Sequence, residues 1–143
     1  MARIIYVEDD DLVGDIVQKA LSDAGHLIGV INHGSLAFDS IVYKRPDLII
    51  LDCSLPGMTG IEILKAVRAN SDIYLTPVVM LTAIDNLADI NRAMEAGAND
   101  YIVKPFETPD LVERINAVLG NTLYRAKVSD RLREFGMRGL VRP

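Results

Sequence analysis

The chain has 143 residues, 50% hydrophobic and 24% charged, with one cysteine and no tryptophan, which leaves room for one ordinary domain with a proper core and not for two. No apolar run approaches the ~20 residues of a membrane-spanning helix, and Cys53 alone supplies neither a disulfide framework nor a cysteine metal site. The net charge of −5 is uneven: residues 1–121 carry 9 Lys/Arg against 18 Asp/Glu, and residues 122–143 carry 6 against 2, so an acidic body that disfavours nucleic acid as its main partner precedes a basic tail.

Short apolar runs alternate with amphipathic segments. Arg3 to Val7 predicts a strand, and Asp11 to Ala24 a helix with Leu12, Ile16, Ala20 and Ala24 on its apolar face, stopped by Gly25. The alternation continues with a strand at Leu27 to Ile31 and a helix at Ser35 to Tyr43. A strand at Leu48 to Leu51 precedes a helix at Gly60 to Ala69, and a strand at Val78 to Leu81 precedes a helix at Asn86 to Ala96. A fifth strand, Tyr101 to Val103, leads to a fifth helix with Thr108 as N-cap, Pro109 in its first turn and Gly120 at its end. Five such units predict an α/β, doubly wound (βα)5 flavodoxin-like three-layer sandwich. The parallel sheet has the expected order 2-1-3-4-5, and ligands bind beyond the carboxyl ends of its strands, near the switch between strands 1 and 3.

The polar residues at those strand ends are Glu8 to Asp11, Asp52, Thr82 and Lys104. Helix capping accounts equally well for Asp10 and Asp11, less well for Glu8 and Asp9, which directly end a strand. Asp52 adds a third carboxylate, and two like charges 4 Å apart repel by about 4 kcal/mol at an effective dielectric of 20. One lysine does not neutralise three acids. A small hard cation, Mg²⁺ or Mn²⁺, does. Thr82 and Lys104 then equip the same edge to hold a phosphoryl group, with Asp52 as the nucleophile that forms an acyl phosphate. An ion pair from Lys104 to Asp52 or Asp9 that merely holds the fold is the plainer alternative.

Four motifs in order, Val7-Glu-Asp-Asp10, Asp47 to Gly60, Val79-Met-Leu-Thr-Ala83 and Gly97 to Phe106, make residues 1 to about 120 resemble the receiver domain of two-component response regulators. The resemblance implies that Asp52 accepts a phosphoryl group from a phosphohistidine on a sensor histidine kinase or histidine phosphotransfer protein. It implies Mg²⁺ on Asp9 and Asp52 directly, on Glu8 through water and on the Ser54 backbone carbonyl. Thr82, Lys104 and the Ala83 backbone N–H would bind phosphoryl oxygens, and Lys104-Pro105 would be a cis peptide. Tyr101 takes the switch position, turning inward as Thr82 moves and reshaping the face of helix 4, strand 5 and helix 5; before phosphorylation it is expected as a half-buried aromatic with its hydroxyl in water. The implied protein is a signalling module whose only chemistry is self-directed phosphotransfer and autodephosphorylation, not an enzyme acting on other substrates.

Two other readings compete. A haloacid-dehalogenase-like phosphatase would use Asp9 as nucleophile and Asp11 as acid/base, and a pseudo-receiver would bind partners without phosphorylation. Cys53 reads as a small loop residue rather than a redox sensor, and His26 and His33 as surface residues. The division expected is a receiver at 1–121 and a basic amphipathic extension at 122–143, too short for a separate output domain. In the extension Tyr124, Val128, Leu132 and Phe135 form a helical stripe that Gly136 should end. That stripe packs on this body or a second copy as a homodimer through helix 5, docks on a downstream protein partner, or is solvated. Specific nucleic-acid binding and membrane association are not expected. Met-Ala-Arg runs straight into the first strand without the zones of a secretory signal, which implies a cytoplasmic location.

Overall fold

The computed structural model describes residues 1–134, with side chains through Asn121. The elements are β1 (Arg3–Val7), α1 (Asp11–Asp23), β2 (Leu27–Ile31), α2 (Gly34–Lys44) and β3 (Leu48–Leu51). They continue as α3 (Gly60–Ala69), β4 (Val78–Thr82), α4 (Leu87–Glu95), β5 (Asp100–Val103) and α5 (Thr108–Glu134). All strand pairs are parallel, in the order β2-β1-β3-β4-β5. The expected architecture is therefore the one observed.

Alternation along the strands splits the core into two layers. Ile5, Val7, Ile49, Leu51, Val78 and Met80 point to one face, where α2, α3 and α4 cover them with Ile41, Leu64 and Ala93. Ile4, Tyr6, Leu48, Ile50, Val79 and Leu81 point to the other, covered by α1 and α5 through Val17, Leu21, Leu111 and Ile115. β1, β3 and β4 are buried on both faces, which is why they read as continuous apolar runs. β2 is an edge strand, and Leu27 and Val30 stay exposed.

Three expectations are corrected. The apolar stripe of α1 is not the one predicted: Leu12 and Ile16 are 70% and 45% exposed, while Gly14, Val17 and Leu21 are buried. The helix carries two apolar stripes at four-residue spacing, and packing against β2 and α5 selects the one that periodicity alone does not distinguish. Gly120 does not end α5, which runs on to Glu134. A glycine weakens a helix by about 1 kcal/mol but breaks one only when the chain takes a left-handed turn there, and Gly120 is not among the positive-φ residues. Gly25 does take such a turn, at φ 94°, and α1 ends as predicted, with Gly25 N–H bonded to the Ser22 carbonyl and His26 N–H to the Leu21 carbonyl. Thr108 is already helical, because Leu111 N–H donates to the Glu107 carbonyl and the cap falls one residue earlier. The stripe from Tyr124 to Phe135 and the stop at Gly136 lie outside the described side chains and residues.

Candidate functional site

Parallel strands bring their carboxyl ends to one edge, and the ends of β1, β3, β4 and β5 deliver Glu8, Asp9, Asp52, Thr82 and Lys104 there. The loop after β3 is drawn tightly beneath α3: a Cβ on Gly60 would lie 2.1 Å from the Asp52 carbonyl oxygen, so only glycine permits this approach. Ser54 N–H donates to Asp52 Oδ1 at 3.1 Å, which orients the carboxylate. Lys104 N–H donates to the Thr82 carbonyl, and the peptide bond from Lys104 to Pro105 is cis.

Carboxylate oxygens of Glu8, Asp9 and Asp52 all lie within 4.8 Å of one another. Glu8 is 1% exposed and Asp52 7% exposed, whereas Asp9 faces solvent. Lys104 Nζ donates to Glu8 Oε1 at 2.5 Å and to Asp52 Oδ2 at 3.1 Å. Its partners are thus Asp52, as expected, and Glu8 rather than Asp9.

The two buried acids behave differently. Burial, reinforced by the neighbouring Asp52 carboxylate, pushes the Glu8 carboxyl up to about 8. Burial also opposes ionisation of Asp52, but the adjoining Glu8 carboxyl, the hydrogen bond from the Ser54 N–H and the Lys104 charge outweigh it and hold Asp52 below the usual carboxylate range. Near neutral pH the pair therefore holds an ionised Asp52 beside a Glu8 that keeps its proton. Burial works against the Lys104 ammonium, yet its two carboxylate partners raise its pKa.

Three oxygen donors of this kind fit a small divalent cation: they are hard ligands, one side is open at Asp9, and a single ammonium leaves negative charge uncompensated. Asp10 accounts for itself otherwise, as the α1 cap that accepts from Leu12 and Val13 N–H. Asp11 sits in the first turn of that helix, outside the acidic cluster of Glu8, Asp9 and Asp52.

Thr82 is 1% exposed, and its hydroxyl accepts from Ile84 N–H at 3.3 Å. Ala83, next to it, is exposed. Tyr101 departs from expectation. Its ring is only 8% exposed and its hydroxyl is not in water, because it donates to the Ile84 carbonyl at 2.7 Å and lies 3.8 Å from Cys53 Sγ. Burial first, then that thiol contact, raises the Tyr101 pKa. Burial likewise raises the Cys53 thiol, which removes the thiolate character a redox sensor needs.

Sequence reading missed three supports. His33, half-buried, caps α2 by accepting from Ser35 N–H. His26, also half-buried, accepts from Ala2 N–H through Nδ1 and meets Asn116 Oδ1 through Nε2 at 2.8 Å, so it ties β1 to α5. Arg68 uses all its donors, on the carbonyls of Tyr74, Thr76 and Gly97 and on Asn99 Oδ1. Backbone N–H and carbonyl groups carry no sequence signal, and neither does a pairing between distant side chains, so none of these contacts was legible beforehand.

The family model described as response regulator receiver domain matches residues 4–116. The DNA-binding response regulator MtrA of Mycolicibacterium smegmatis is 40% identical over 117 residues, covering 82% of this chain and 50% of the relative. The chain thus spans about half the length of the curated relatives it matches. Among solved structures, the BeF3-activated N-terminal receiver domain of Klebsiella pneumoniae RstA is 32% identical with a TM-score of 0.76, covering 82% of this chain and 97% of that one. The chemotaxis protein CheY4 of Vibrio cholerae is 33% identical with a TM-score of 0.77, covering 82% and 98%.

Proposed function

This chain belongs to the response regulator receiver domain family, and on that premise we propose that Asp52 accepts a phosphoryl group from a phosphohistidine donor, a sensor histidine kinase or a histidine phosphotransfer protein. The observation that carries this reading is geometric: Asp52, at the mouth of the loop, lies within 4.8 Å of the Glu8 and Asp9 carboxylates and accepts from Lys104 Nζ at 3.1 Å, and its lowered pKa keeps it ionised. An ionised carboxylate is the nucleophile such a transfer needs.

Asp9 and Asp52, with the Ser54 carbonyl and Glu8 through water, are the residues that would hold Mg²⁺ or Mn²⁺. When bound, the cation offsets negative charge on the phosphoryl oxygens and the attacking carboxylate. This chain's own residues do the rest. An Asp52 oxygen forms the bond to phosphorus while the bond to the donor imidazole breaks. Lys104 turns from counter-ion of Asp52 to partner of a phosphoryl oxygen, and Thr82 and the Ala83 N–H take the others. Loss of the group again, by water, completes the self-directed cycle of a signalling protein.

The Tyr101 arrangement supports a particular form of the switch. Its ring is already inward and its hydroxyl is bonded to the loop that follows Thr82. Phosphorylation then shifts Thr82 and its loop against a fixed tyrosine, and the face formed by α4, β5 and α5 changes shape as a shift in populations. Response regulators work with histidine kinases and often dimerise. In this chain the continuous α5 supports a homodimer through that helix and the segment 122–143, with a downstream protein as the alternative occupant and no specific nucleic-acid contact by residues 1–121. Among the described residues no helix is long and apolar enough to cross a membrane, and a cytoplasmic location accords with the family.

The test is stoichiometric. Intact mass after incubation with acetyl phosphate should show one phosphoryl group per chain, dependent on Mg²⁺. Release of many equivalents of phosphate from a phosphate ester would favour the phosphatase reading, and absence of label with any donor the pseudo-receiver.

A further inference from the structure

Among the described residues two buried side-chain atoms have no hydrogen-bond partner, the Tyr6 hydroxyl and Glu8 Oε2. They are two residues apart, and strand alternation sends both side chains to the α1/α5 face of the sheet. Tyr6 is wholly buried and packs in the hydrophobic cluster that runs from Ile4 and Val17 to Leu81 and Ile115. Of the acids around it, Glu8 bears most strongly on the phenol. A buried polar atom left unpaired carries an uncompensated desolvation cost, and the Tyr6 phenol can donate to Glu8 Oε2 once that carboxyl gives up its proton. Glu8 Oε1 is already occupied by Lys104.

Resting on the metal site read above, we infer that Tyr6 is a positioning residue for that site: its O–H donates to Glu8 Oε2 and anchors this carboxylate when a divalent cation draws it from Lys104. The ring is fixed by the core, so the hydroxyl is a stationary pivot beside a carboxylate that must change partners. Removing the outer partner of a metal-site residue typically weakens metal binding about 10- to 100-fold.

Tyr6→Phe keeps the ring and deletes only the hydroxyl. Titration of the unphosphorylated full chain with Mg²⁺, followed by tyrosine ultraviolet difference absorbance, should show a Kd raised about tenfold in Tyr6→Phe and a smaller difference signal than in the wild type. In a Glu8→Ala background the same substitution should change Kd less than twofold, because the group it acts through is gone. Unchanged affinity in Tyr6→Phe, or an equal loss with and without Glu8, overturns the inference. Failure of the wild type itself to bind Mg²⁺ overturns instead the metal-site reading on which it rests.

Discussion

Lys104 Nζ and Glu8 Oε1 are joined by a 2.5 Å hydrogen bond across the ends of the first and last strands of the domain, 96 residues apart in sequence. Glu8 holds a proton up to about pH 8 because burial disfavours its charge. A cation must displace that proton to use Glu8. Mg²⁺ affinity should therefore rise with pH between about 6 and 8, by at most about tenfold per unit for one released proton, and level off above. Calorimetric titration across this range checks it, and Glu8→Gln should flatten the profile.

The same group sets a sign for stability in the absence of metal. A carboxyl whose folded-state pKa lies above its unfolded value contributes fully below the unfolded pKa and loses that contribution as pH rises through the folded one. On the account of Glu8, the melting temperature of the metal-free chain should fall as pH rises from about 5 to 8. Glu8→Gln should remove that slope. Asp52 acts in the opposite sense, since its lowered pKa supports the fold above the ordinary carboxylate range and loses effect in acid. Melts in a chelating buffer at stepped pH separate the two.

Gly60→Ala should act on chemistry and fold together. The added methyl meets the Asp52 carbonyl oxygen at 2.1 Å, which is backbone and cannot swing aside. A cost of about 1–3 kcal/mol in stability is expected from such overpacking. Displacing the nucleophile by a fraction of an ångström to 1 Å should slow labelling by acetyl phosphate by up to about 100-fold. Labelling time courses and thermal melts on the same preparation measure both.

Arg68 is the predicted point of greatest loss outside the site. Five hydrogen bonds from one guanidinium hold the carbonyls of Tyr74, Thr76 and Gly97 and the Asn99 side chain, which also accepts from Val78 N–H at the start of β4. Arg68→Ala should cost about 3 kcal/mol, seen as a fall of roughly 10 °C in Tm. Arg68→Lys should recover less than half, because an ammonium cannot span the same fork.

The strand ends were legible because their chemistry is carried by residue types: apolar runs ending in acid, threonine and lysine have one common edge in a parallel sheet. What escaped was decided by packing or by backbone. The buried stripe of α1 competes with Leu12 and Ile16 on an adjoining stripe of the same period, and only its neighbours choose. The Tyr101 hydroxyl finds the Ile84 carbonyl, and His26 finds the Ala2 N–H. Gly120 looked like a stop because glycine often is one, but that role needs a positive φ. Gly120→Ala accordingly should stabilise the chain by about 0.5–1 kcal/mol, since a Cβ there meets nothing within 4 Å; a neutral or destabilising result in denaturant melts would mean that the helix ends near residue 120.

The central claim is that Asp52 is the phosphoacceptor, and peptide mapping by mass spectrometry, after reductive trapping of the acyl phosphate formed with Mg²⁺ and acetyl phosphate, tests it most directly. The modification should fall on Asp52, disappear in Asp52→Asn and require Mg²⁺. Modification at Asp9, or undiminished modification of Asp52→Asn, would contradict it.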